Sequence, residues 1–121
     1  MKKISKIKIG ITGGSGLLGS HFYKKFKNKF KISKYPHRIE NFKKMNNWLT
    51  KNQFHYFIHF AAITKNESNK FYKSLKLINV KSTINILNSL NKNNNNIKMF
   101  LFISSSHVYG YSNKNIKENK I

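Results

Sequence analysis

Three observations predict an α/β fold built on a doubly wound parallel sheet. Short apolar runs alternate along the chain with longer stretches of helical period. Two of those runs, 55–62 and 97–103, are apolar almost throughout, as expected of strands buried on both faces. A glycine cluster stands between the first strand and the first helix. Strand–helix alternation of this kind places a parallel sheet between helical layers.

The elements follow in order. Residues 6–12 alternate apolar and polar side chains and then meet glycine, a strand ending in a tight loop. Leu18, Phe22 and Phe26 recur every four residues between Ser15 and about Asn28 and mark one face of a helix. A short strand is expected over 30–33, closed by Tyr35-Pro36, and a second helix carries Phe42, Met45 and Leu49 with Trp48 beside them. After the strand at 55–62 a long helix is expected over 69–90, with Val80, Ile84 and Leu87 as its apolar face. Asn93–Asn96 reads as a loop, 97–103 as a strand ending in Ser104-Ser-Ser106, and the sequence past Gly110 as polar and unstructured.

With 121 residues, the chain is expected to form one domain, 1–121, around one core. Hydrophobic residues at 39% are enough for that core. The absence of cysteine excludes disulfides and Cys-ligated zinc. No stretch has the roughly 18 apolar residues of a membrane span, and the apolar run at the start is too short for a signal peptide, so a soluble cytoplasmic protein without membrane contact is expected. The charge is extreme: 24 Lys+Arg against 3 Asp+Glu, net +21. The lysines are spread over the whole chain and Arg38 is the single arginine, a pattern of basic drift and not of a specific nucleic-acid reader. A basic RNA-associated protein is kept as a rival reading.

Thr12-Gly-Gly-Ser-Gly-Leu-Leu-Gly19 is the first chemical signal. Glycines at 13, 16 and 19, between a strand and a helix, let the backbone turn sharply and approach a pyrophosphate at the helix N-terminus. No Gly-Lys-Ser/Thr follows, so the loop is not a P-loop. Further along come Ile58-His-Phe-Ala-Ala62, Asn79-Val-Lys-Ser-Thr83 and Phe102-Ile-Ser-Ser-Ser-His-Val-Tyr-Gly110. With these four segments in this order, residues 6–111 resemble the extended short-chain dehydrogenase/reductases, the NAD-dependent epimerase/dehydratase family. The UDP-glucose 4-epimerase and dTDP-4-dehydrorhamnose reductase branches are the most similar. The resemblance implies a Rossmann-like doubly wound sheet, incomplete here because the family's C-terminal strands and substrate lobe are missing. It also implies NAD or NADP as cofactor and a nucleotide sugar as substrate, with hydride transfer at a sugar carbon. A homodimer is expected only of a full-length protein.

Residue by residue, the resemblance places Gly13, Gly16, Leu17, Leu18 and Gly19 at the pyrophosphate. Arg38 and Ile39 would lie on the adenine side, and Phe60, Ala61, Ala62, Ile63 and Thr64 along the ribose side. Asn79 supports the site from the following helix, and Ser105 is the hydroxyl that meets the reacting sugar oxygen. His107 stands where the dehydratases carry a catalytic acid, which argues for epimerase or reductase chemistry. His59 is expected to be a packed histidine and not a metal ligand. No Asp occurs anywhere, and Lys34-Tyr-Pro-His-Arg38 is basic, which tips the expected cofactor toward NADP(H). The family's Tyr-x-x-x-Lys acid–base pair has no counterpart after Ser105, since Tyr109 and Tyr111 precede Asn113 and Asn115 at that spacing. The chain alone is therefore expected to be catalytically inactive, a dinucleotide-binding remnant, with an apolar sheet edge around Phe100 and Phe102.

Overall fold

A computed structural model describes residues 7–63 and 72–105, together with 114, 115 and 117. Four strands, β1 (Lys8–Thr12), β2 (Lys31–Lys34), β3 (Tyr56–His59) and β4 (Met99–Phe102), form one sheet in the order β2-β1-β3-β4. Every pairing is parallel, with Ile9 opposite Ile32 and Tyr56, and Phe57 opposite Phe100. The helices are α1 (Leu17–Phe26), α2 (Phe42–Asn52), α3 (Tyr72–Leu75) and α4 (Ser82–Asn93), with a π-helical turn, Lys76–Lys81, joining the last two. The fold is the expected Rossmann-like doubly wound sheet.

Side-chain alternation along the strands divides the core in two. Ile9, Ile11 and Ile58 point to the face where Phe22, Tyr23 and Phe60 pack. Phe54, Phe57 and Tyr35 point to the other, against Met45 and Leu49 of α2 and Ile86 and Leu90 of α4. Gly10 faces this second layer because a Cβ there would sit 2.6 Å from the Phe54 ring. α2 starts at Asn41, whose side chain accepts from the Lys44 amide at 3.2 Å, and ends at Gln53, held in the left-handed region at φ 48°.

Two expectations need correction. Val80, Ile84 and Leu87 do lie on a helix, but they form its outer face, at 48%, 51% and 43% exposure. The buried face is Ile78, Ser82, Ile86, Ser89 and Leu90. Apolar residues line both sides of this helix, and a short serine fits closest to the sheet. The second strand, expected at 30–33, lies at Lys31–Lys34.

Strand order reverses at β1, since the chain leaves it toward β2 on one side and returns to β3 on the other. Such a reversal opens a crevice past the carboxyl ends of the two central strands. Those ends are Thr12 and His59, and the functional site is built there.

Candidate functional site

Gly13 begins the loop after β1 with φ 66°, where an L side chain is strained. A Cβ on it would also stand 2.7 Å from the Ala61 amide nitrogen, so the loop rests directly on the backbone that follows β3. The Gly16 amide donates to Gly13 O at 3.1 Å and closes the turn. Gly19 packs so tightly over it that a Cβ would fall 2.1 Å from the same oxygen. The first turn of α1 thus sits on the loop with no side chain between them. No side chain caps α1 at Gly16, so its first amides and the positive end of its dipole are left for solvent or an anion.

In front of the loop lies a cleft of about 620 Å³, in the size range of cofactor pockets. Gly13, Gly14, Ser15 and Gly16 form one wall, Phe60 to Ile63 with Ile78 the opposite one, and Lys34 to Glu40 the far end. That far end is basic. Lys34 runs its methylene stem past Gly14 and holds its ammonium 4.5 Å above the Tyr23 ring. Arg38 pairs with Glu40 through its Nε. Partial burial works to raise the Glu40 carboxyl, but the hydrogen bond and charge of Arg38 outweigh it and hold the group below its ordinary pKa. Burial, and then the Glu40 charge, push the Tyr35 phenol up, so its hydroxyl stays protonated and donates to Arg38 O at 3.4 Å.

Beneath the cleft a chain of buried hydrogen bonds ties its walls together. Thr12 Oγ1 lies 2.6 Å from His59 Nδ1, and His59 Nε2 lies 2.9 Å from Thr83 Oγ1. Thr83 donates its proton to Asn79 O at 2.9 Å, so it must accept from His59. That assigns the Nε2–H tautomer and leaves Nδ1 to accept the Thr12 hydroxyl. Thr12 Oγ1 in turn accepts from the Ala61 amide at 3.2 Å. Burial holds the His59 imidazole neutral, its pKa lowered to about 4. The Asn79 amide finishes the arrangement: it accepts from Ile63 N and donates to Ile63 O, both at 2.9 Å.

The sequence-selected residues divide accordingly. Gly13, Gly16, Arg38, Ile39, Phe60, Ala61, Ala62 and Ile63 line the cleft together. Gly19 lies behind the loop, and Asn79 grips the cleft wall through Ile63. Leu17 and Leu18, 88% and 59% exposed, turn toward a separate apolar hollow with Phe22, Phe26 and Ile103, so their side chains do not face the cleft. Ser105 is exposed three residues past the end of β4 and is not among the cleft-lining residues. Thr64, Ser106, His107, Tyr109 and Tyr111 lie outside the described residues. Sequence reasoning missed Gly14, Ser15, Tyr35, Glu40 and Ile78 as lining residues and the Thr12–His59–Thr83 chain. A polar pair at the ends of two buried strands was the available signal. No group of His, Asp and Glu suited to a metal ion occurs among the described residues, and no described helix is long and apolar enough to cross a membrane.

Residues 9–121 match the model of the NAD dependent epimerase/dehydratase family. No curated protein matches the chain significantly. Among solved structures, a GDP-L-fucose synthetase from Naegleria fowleri is 25% identical at a TM-score of 0.76, over 99% of this chain and 37% of that one. A UDP-glucose 4-epimerase from Bifidobacterium longum, in complex with NAD+ and UDP, is 21% identical at 0.76, over 93% and 41%. A dTDP-4-dehydrorhamnose reductase from Bacillus anthracis, in complex with NADP, is 23% identical at 0.65, over 71% and 32%. The chain thus spans well under half the length of the solved structures it resembles.

Proposed function

The chain belongs to the NAD dependent epimerase/dehydratase family, and from that premise we propose that its cleft binds a nicotinamide dinucleotide. The pyrophosphate lies against Gly13–Gly16 and the uncapped first turn of α1, the adenosine toward Tyr35–Ile39, and the nicotinamide ribose along Phe60–Ile63, with Thr64 continuing that side. The observation that carries this reading is the glycine cradle. Gly13 and Gly19 leave no room for a Cβ, so the backbone forms a smooth concave surface directly before a helix dipole. When bound, the nicotinamide supplies hydride transfer. The chain's own residues hold the cofactor, and Ser105 offers a hydroxyl to the sugar oxygen of a nucleotide-sugar substrate.

NADP(H) is preferred over NAD(H) in this proposal. Lys34 stands at the end of β2 beside the glycine loop, with Arg38 and His37 nearby and no carboxylate but Glu40, which is already paired to Arg38. A 2′-phosphate meets cations there, whereas ribose hydroxyls would find no free acid to accept from them. Hydride transfer to a sugar, by epimerisation or reduction, also needs an acid–base group, and residues 106–121 contain no Tyr-x-x-x-Lys. These 121 residues alone therefore bind dinucleotide without turning over a nucleotide sugar.

Calorimetric titration with NADPH, NADP+, NADH and NAD+ tests the reading. Saturable binding of at least one, tightest for the phosphorylated forms, is expected. No binding of any dinucleotide would overturn the assignment of the cleft, and equal or better binding of NADH would overturn the cofactor preference.

A further inference from the structure

The sheet has two edges of opposite character. At β2, Lys31 and Lys34 stand exposed at the two ends of the strand and keep another strand away. At β4, the strand is Met99-Phe-Leu-Phe102 and carries no charge at all. Met99, Leu101 and Phe102 are 57%, 46% and 51% exposed. Because strand side chains alternate, apolar surface is exposed on both faces of β4. Met99 and Leu101 border an apolar hollow of about 340 Å³ with Ile7, Ile9, Phe30, Tyr56, Phe57 and Ile58. β4 pairs with β3 on one side, and no strand among the described residues pairs with the other. Its outward amides and carbonyls are a template for a further strand.

We propose that β4 is the surface through which two copies of this chain pair, antiparallel and edge to edge about a two-fold axis. The antiparallel arrangement is self-complementary, since each β4 offers its partner the same row of donors and acceptors and the same four apolar side chains. Charge selects the site. With a net charge of +21 per copy, a second copy is repelled from any lysine-bearing face. The other apolar stripe, Leu77, Val80, Ile84 and Leu87, is set among Lys73, Lys76, Lys81 and Lys92, all exposed, and a two-fold contact there would oppose like charges. The uncharged β4 edge has no such penalty. A four-residue edge falls short of the roughly 800 Å² per partner of a stable interface, so the pair is concentration-dependent. Salt strengthens it by screening the +21 repulsion, the opposite of what salt does to polyanion binding.

Sedimentation velocity on the 121-residue chain tests this, with protein concentration and salt varied. A monomer–dimer equilibrium that shifts toward dimer as either rises is expected. Met99→Lys and Leu101→Lys each abolish it, and Ile84→Lys leaves it unchanged. Trp48 fluorescence and far-UV circular dichroism report whether each variant keeps its fold. Hydrogen exchange on the unmodified chain gives a readout that needs no variant: the outward amides of Met99–Phe102 slow by about tenfold from dilute to concentrated solution while those of β2 do not. A chain that stays monomeric, open-ended growth in place of a dimer, a dimer lost in Ile84→Lys and kept in both β4 variants, or β4 exchange independent of concentration would overturn the proposal.

Discussion

Thr12 Oγ1 and His59 Nδ1 are 2.6 Å apart, and neither side chain reaches solvent. One residue ends β1 just before the glycine loop, and the other ends β3 just before the ribose-side wall. Their hydrogen bond therefore joins the two walls of the cleft at its floor. Thr83 extends the link to the start of α4.

Cutting this link leaves polar groups buried without partners. His59→Leu keeps the apolar volume but removes the acceptor for Thr12 and the donor for Thr83. It is expected to cost about 1–3 kcal/mol for each group left unsatisfied, read as a lower midpoint in urea at constant slope. Thr83→Val is expected to cost less, because it strands only His59 Nε2–H and one carbonyl. A midpoint unchanged in both variants would show that the chain of hydrogen bonds contributes nothing.

Stability should also fall as pH drops between about 6.5 and 4. Burial lowers the pKa of His59 from 6.5 to about 4 in the fold, so the unfolded chain binds more protons across that window. The contribution is complete above pH 6.5 and gone below about 4, and its size is on the order of 3 kcal/mol. Thermal melts across the window, compared with His59→Leu, check this: the variant's curve is expected to be flatter. Parallel curves would remove His59 as the cause.

Much of this arrangement was legible in the chain. Strands β3 and β4 announced themselves as apolar runs because both of their faces are covered or lie beside core. The glycine loop was legible because only glycine tolerates φ 66° at 13 and the absent Cβ at 19. The inner face of α4 was not. Ile78, Ile86 and Leu90 alternate with an equally apolar outer set, and periodicity alone does not say which set meets the sheet. The hydrogen-bond chain was illegible for another reason. Thr12, His59 and Thr83 are 47 and 24 residues apart, so the fold brings them together and no local pattern records it.

The glycines make a graded prediction. Gly13→Ala adds a left-handed alanine, costing about 1–2 kcal/mol, and a clash with the Ala61 amide. Gly19→Ala drives a methyl into Gly13 O and must open the loop, whereas at Gly16 the nearest atom is 3.4 Å away. Dinucleotide affinity should fall most for Gly19→Ala and Gly13→Ala and least for Gly16→Ala, by calorimetry. A reversed order would detach the cofactor from the loop.

Lys34 and Arg38 are expected to set the preference for a phosphorylated ribose. Lys34→Ala should weaken NADPH by about tenfold, the loss of one charge-assisted contact, while changing NADH little. Arg38→Ala should act in the same direction but more weakly, because Glu40 already holds the guanidinium. Equal losses for both cofactors would place these side chains away from the 2′ position.

The π-helical turn at Lys76–Lys81 has a consequence for how this chain can change length. Ser82 closes the turn by donating both its amide and its hydroxyl to Leu77 O. One more residue is looped in there than an α-helix would hold. Deleting a residue within 76–81 would let the helix run on without a break, but everything after the deletion would lose step by about 100° with what precedes it. Asn79 and Thr83 reach Ile63 and His59 from opposite ends of that turn, and a helix without the slack could keep one grip or the other. The segment is thus a phase adjuster: it tolerates substitution on its outer surface and is closed to insertion or deletion.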